Sequence, residues 1–151
     1  MSGPYVYDKA KYHFESVEEF GLPAEHAYNH TVPILRWFIE HGFMSEFFNE
    51  ECADQLAAYQ AGSLSIYQLY EWWDCCLISD MVNEEGNAFG MYYFDFEKGK
   101  YISDYIGTLQ GDLPSEFHVV YTEENYARLK SVIEKRFEEW RNRKPWWRRL
   151  R

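Results

Sequence analysis

A chain of 151 residues that is 46% hydrophobic and 26% charged has enough apolar material to build one folded domain. Those proportions exclude a disordered, collagen-like or low-complexity polymer. With 25 acidic residues against 15 basic ones, the net charge of −10 repels phosphate backbones, which makes a nucleic-acid enzyme a poor expectation.

No apolar run approaches the ~20 residues of a bilayer span, and the opening MSGPYVYDKA lacks the apolar core of a secretion leader. The cysteines, Cys52, Cys75 and Cys76, are odd in number, against a secreted disulfide scaffold. The expectation is a cytoplasmic domain. Aromatic residues are abundant: 13 Tyr, 11 Phe and 6 Trp. Tyr hydroxyls and Trp indoles need partners when buried, so such rings belong at the boundary between core and water, or on a contact surface.

The expected architecture is all-α: one domain over 1–144 with about five or six helices, then a basic Trp-containing tail over 145–151. Apolar Ile34, Leu35, Phe38 and Ile39 place a helix over Thr31–His41, with Thr31 as cap, Pro33 in the first turn and Gly42 as stop. That helix could instead begin near Pro23 and kink at Pro33. Cys52, Leu56 and Tyr59 mark a second helix from an Asn49 cap to Ala61, closed by Gly62. Ser65 caps a third over Ile66–Trp73. A fourth, capped by Ser79, would carry Val82, Phe89, Tyr92, Tyr93 and Phe96 at helical spacing.

Within that stripe Asn83-Glu84-Glu85-Gly86-Asn87 contains poor helix formers. Gly86 would let another backbone approach, and Asn87 would bond a loop carbonyl; a polar recognition spot is the alternative. Residues 92–106 fit a helix, with a short β-hairpin around Glu97–Lys100 as the other reading. Phe117–Tyr121 reads as extended. The clearest helix begins at a Thr122 cap, with Glu123 and Glu124 in its first turn and Tyr126, Leu129, Ile133, Phe137 and Trp140 along its stripe.

Charge is divided along the chain. Residues 1–125 hold 22 acids and 5 bases, whereas 126–151 hold 3 acids and 10 bases. The tail Pro145-Trp146-Trp147-Arg148-Arg149 could touch lipid headgroups or single-stranded nucleic acid. The preferred reading is that it folds back on the acidic body.

No motif demands catalysis. GxGxxG, GxxxxGK[ST] and GxSxG are absent. His26 and His30, four apart beside Glu25, could begin a zinc site but lack a third ligand; a hydrogen-bonded structural role is preferred for His30. His13 and His118 stand isolated in sequence. Cys75-Cys76 is a vicinal pair without CxxC spacing and reads as buried small hydrophobes. No catalytic residue, cofactor or metal site is assigned.

The strings Tyr7-Asp8-Lys9-Ala10, Leu22-Pro23 with His30, Trp37 through Glu40 to Gly42, Asn83–Phe89, Tyr92-Tyr93, Asn125-Tyr126, Lys135-Arg136-Phe137 with Trp140, and the ending Pro145-Trp146-Trp147 resemble a family of small bacterial cytosolic proteins. Its members are similar to immunity proteins encoded beside secreted antibacterial toxins. The resemblance implies a partner, the cognate secreted toxin domain, and supplies no catalytic residues. The candidate toxin-binding residues are Glu15, Glu18, Glu19, Asp80, Glu84 and Glu85, with Trp72 and Tyr92 as aromatic anchors. The alternatives are a metal-dependent hydrolase using His26, His30 and an acid, or an adaptor acting through the tail.

Overall fold

Val32–Glu40 (α2) is the helix around which the chain is assembled. Val32, Pro33, Ile34, Leu35, Trp37 and Phe38 are all buried, so apolar residues occupy most of its circumference and it needs partners on several sides. The computed structural model describes residues 3–143. The expected basic tail, 145–151, lies outside the described residues.

Eight α-helices and a two-stranded antiparallel sheet make up a mainly helical single domain among the described residues. In chain order they are β1 (Val6–Lys9), α1 (Phe14–Glu19), α2, α3 (Glu46–Glu51), α4 (Ala53–Gln60), α5 (Ile66–Trp72), β2 (Cys76–Ile78), α6 (Glu84–Tyr93), α7 (Tyr101–Tyr105) and α8 (Glu123–Arg141). Single 3-10 turns link several of these, and Ile106–Gln110 extends α7 as a π-helical turn. None of these helices is long and apolar enough to cross a membrane.

An aromatic cluster joins α2 to α6 and α8. Trp37 lies between 5.4 and 5.9 Å, ring to ring, from Phe89 of α6, Phe94 and Phe137 of α8. Burying each such ring contributes roughly 2–3 kcal/mol, plus a smaller gain from edge-to-face geometry. The indole N–H of Trp37 donates to Glu134, satisfying the ring's polar atom at the core boundary.

Gly90 of α6 faces Tyr7 and Phe38. A Cβ there would lie 2.5 Å from the Tyr7 hydroxyl and 3.0 Å from Phe38. Gly86, one turn earlier, similarly admits Val82 and Phe43. Asn87 bonds loop carbonyls as the sequence suggested: its amide donates to Ser79 and Val82, while its oxygen accepts from Tyr7. Gly86 and Asn87 therefore serve close packing and internal bonding, while Glu84 and Glu85 of the same string are exposed.

Several local readings change. Val32 is the first residue of α2 and Thr31 its cap residue, yet the Thr31 side chain caps nothing: its hydroxyl donates to Asp8 instead. The predicted Asn49–Ala61 helix is two helices interrupted at Cys52, and Ser45, not Asn49, caps the first by accepting from the Phe48 N–H. No Gly or Pro marks that break. Cys52 is fully buried and leaves helical geometry there, so the interruption belongs to packing.

Ser79–Met81 is a 3-10 turn, Val82 bridges to Met44, and Asn83 rather than Ser79 caps α6. The segment 92–106 contains no hairpin: α6 ends at Tyr93, Asp95 accepts from the N–H groups of Glu97 and Lys98 in a tight turn, and α7 follows. Ser65 forms a full capping box with Gln68, and Thr122 caps α8, both as read from sequence.

Asp104 of α7 receives Arg136 of α8 through two nitrogens at 2.9 and 3.0 Å, and the Tyr93 hydroxyl at 2.7 Å. Burial alone would raise its pKa, but the bonds from Arg136 and Tyr93 win and hold the carboxyl below its ordinary value. A folded-state pKa below the unfolded one adds stability above the unfolded value, and that stability is lost as pH falls through the folded value. Asp104→Asn should therefore lower urea stability at pH 7, with the gap to the parent protein closing progressively below about pH 4. Gly90→Ala should cost about 1–3 kcal/mol through overpacking against Tyr7, whereas Gly107→Ala, which meets nothing within 4 Å, should not destabilise; urea titrations of both check the difference.

Candidate functional site

Strand β1 brings an acid into the interior. Its register against β2 pairs Val6 with Ile78, Asp8 with Leu77 and Lys9 with Cys76, with an irregularity between Val6 and Asp8. Alternation fails there, and Tyr7 and Asp8 are both buried. Asp8 is 2% exposed, so its charge needs partners.

Three side chains supply them. His13 Nε2 lies 2.7 Å from Asp8 Oδ1, His30 Nε2 lies 3.2 Å from Oδ2, and the Thr31 hydroxyl donates to Oδ2 at 2.6 Å. Burial pushes the Asp8 pKa up, but the bonds and charges of the two histidines pull it further down, to about 2. The imidazoles meet edge to face at 4.7 Å. His30 is buried against Phe96, Tyr105 and Phe117, whereas the His13 side chain is 20% exposed and opens the centre to solvent.

Two more histidines border this centre through Phe117, whose ring lies 5.6 Å from His13 and 5.9 Å from His30. His26 bonds the Phe117 carbonyl through Nδ1. His118 bonds Ser115 and meets the ring of Phe20 at 5.0 Å. His26 sits in a 3-10 turn ahead of α2 and does not join His30 as a ligand pair. The partners of His30 are instead His13 and Asp8, 17 and 22 residues earlier in the chain. No spacing rule links them to His30.

Helix α1 begins immediately after His13. Tyr12, Phe14 and Phe20 are exposed, as are Glu15, Glu18 and Glu19 between them, while Val17 anchors the helix inward. The other candidates lie elsewhere. Trp72 is exposed at the end of α5 beside Trp73, which also touches Phe47 of α3. Asp80 is held near the start of α3 by a bond from Ser45 to its carbonyl, and Glu84 and Glu85 occupy the first turn of α6.

Tyr92, at the far end of α6, carries the Arg143 guanidinium over its ring at 4.9 Å. The eight residues thus fall at four places, α1, the end of α5, the start of α6 and its far end, joined by no side-chain bond or ring contact among the described residues. The segment Tyr12–Phe20, which contains α1, combines three unpaired acids with three exposed rings.

Two surface cavities complete the picture. One of about 670 Å³ lies between α2, α4, α5 and the start of α8, lined by Tyr59, Tyr67 and Tyr121. Its Arg36 is engaged by Glu40, Tyr121 and Glu123, so it offers no free cation to an anionic ligand. The other, about 550 Å³, is lined by Lys9, Lys11, Phe14, Cys75 and Cys76. The vicinal cysteines are half-buried there, not enclosed, and Asp74 and Cys75 adopt left-handed backbone angles at the turn into β2. Burial raises both thiols, which argues against a reactive thiolate.

The protein is thus a mainly helical domain in which an Asp–His–His centre adjoins an acidic helix. The chain belongs to DUF7832, a domain family of unknown function, whose model matches residues 6–119. That stretch includes Asp8, His13, His30 and α1, and ends before α8. No curated protein and no solved structure matches the chain.

Asp8→Ala would leave the Thr31 hydroxyl and two imidazoles facing an empty space. It should destabilise the fold by about 3 kcal/mol or more, as removal of one member of a buried charged network does. Urea unfolding, compared with Glu15→Ala on the exposed face of α1, measures this; the latter should change stability by less than about 0.5 kcal/mol.

Proposed function

We propose that this chain is an immunity-type protein that binds a cognate antibacterial toxin in the cytoplasm and blocks the toxin's active site with an acidic, aromatic surface. The observation that carries the reading is the segment Tyr12–Phe20, where Glu15, Glu18 and Glu19 are exposed between three exposed rings. None of the three carboxylates forms an ion pair within the chain among the described residues, so all remain available to a cationic partner.

The physics of such an interface divides the labour. Toxins that act on nucleic acids or nucleotides need a cationic cleft, and carboxylates can occupy it in place of phosphates. Long-range attraction accelerates encounter, while rings desolvated at the centre of the contact slow dissociation. The resemblance to immunity proteins supports the same assignment. Asp80, Glu84, Glu85 and Trp72 would form a second contact only for a partner large enough to reach past α1.

The experiment is co-expression with secreted toxin domains encoded next to this gene, scored by rescue of growth and co-purification. Glu15→Lys/Glu18→Lys/Glu19→Lys should slow association about tenfold or more at low salt and flatten its salt dependence. Tyr12→Ala/Phe20→Ala should instead accelerate dissociation. Full rescue with unchanged kinetics by both variants would remove α1 as the contact face.

A further inference from the structure

We propose that Asp8, His13 and His30 form a binding site for a divalent transition-metal ion of the zinc type. One ligand atom from each residue lies within 4.8 Å of the other two. Two imidazole nitrogens and a carboxylate suit first-row metals such as zinc, whereas calcium and magnesium require mostly oxygen donors.

The distances fit with little rearrangement. Tetrahedral zinc, with ligand bonds of about 2.0–2.2 Å, separates neighbouring ligand atoms by roughly 3.3 Å. His13 Nε2 lies 2.7 Å from Oδ1 and His30 Nε2 lies 3.2 Å from Oδ2, so an ion held by both rings draws on the two carboxylate oxygens together, or on one of them after the carboxylate turns, and the His13 side must widen by about half an ångström. His13 is the ligand free to make that adjustment: it lies between a 3-10 turn and α1 and is partly exposed, whereas His30 is enclosed by rings.

Metal binding places a metal–nitrogen bond where each Nε2 now meets the carboxylate, so each neutral imidazole then carries its proton on Nδ1. Thr31 keeps its bond to Asp8 Oδ2 and orients the carboxylate from behind, as outer partners of metal ligands do. Solvent reaches the centre on the His13 side, where that side chain is partly exposed. The site does not depend on toxin binding, and neither result decides the other.

The test uses the full chain, stripped with chelator and titrated calorimetrically with Zn²⁺ at pH 7.5. One ion should bind per chain, raising Tm, while Ca²⁺ at the same concentration should not. His13→Ala should abolish binding, and Thr31→Val should weaken it about 10–100-fold. His41→Ala and Cys75→Ser/Cys76→Ser should bind as the parent does, and Co²⁺ loaded in place of Zn²⁺ should show no thiolate charge-transfer absorption.

Should a variant fail to fold, histidine NMR of the parent protein decides: Zn²⁺ must perturb His13 and His30 first. The proposal is overturned if the parent binds no stoichiometric ion. Binding that survives His13→Ala, that the cysteine pair removes, or that perturbs His26, His41 or His118 first would overturn it equally.

Discussion

A ring that carries a hydroxyl can enter a protein interior only where an acceptor waits for it, and 13 tyrosines impose that requirement on almost every element of this fold. Tyr5 donates to Asp95, Tyr7 to Asn87, Tyr28 to Glu71, Tyr67 to Asn29, Tyr93 to Asp104, Tyr101 to the His30 carbonyl and Tyr126 to Glu40. Most of these bonds link residues far apart in sequence. They act as tertiary ties whose geometry a core built from leucine would lack, and they explain why so many rings remain at the boundary between apolar interior and polar rim.

The same requirement divides the acids into two populations. Asp8, Glu40, Asp104 and Glu134 are engaged by imidazole, arginine, lysine, indole or tyrosine and belong to the architecture. Glu15, Glu18, Glu19, Glu84 and Glu85 are exposed and unpaired within the chain among the described residues, so they project the charge of the molecule outward. Net charge alone overstates the interactive surface. The part that can steer a partner is the second population, and on α1 it stands beside exposed rings.

Histidines follow a similar logic. His41 is structural: it stacks on Trp37 at 4.0 Å and pairs with Glu134. The other four gather around Phe117, two of them on Asp8. This arrangement places chemistry-bearing groups next to an acidic helix flanked by exposed rings. A binding function and a metal function can therefore share one end of the molecule without sharing residues.

How much of this could be read in advance depended on how local its cause was. The Ser65 and Thr122 caps, the stops after His41 and Ala61, and the α8 stripe were legible because each is decided within one or two turns of chain. The α3–α4 break at Cys52 was not, since no local breaker produces it. Nor was the Asn83 cap, because Val82 is drawn into a bridge with Met44. The centre shows the limit most clearly: Asp8 turns inward only because β1 slips register against β2, and Thr31 gives up capping only because that carboxylate is then within reach. By itself the sequence determined the helical class, the excess of acid and the abundance of polar-tipped rings, all of which follow from composition and short-range periodicity. Tertiary structure alone decided which acids are free and which histidines meet, because those outcomes depend on contacts between residues that are distant along the chain.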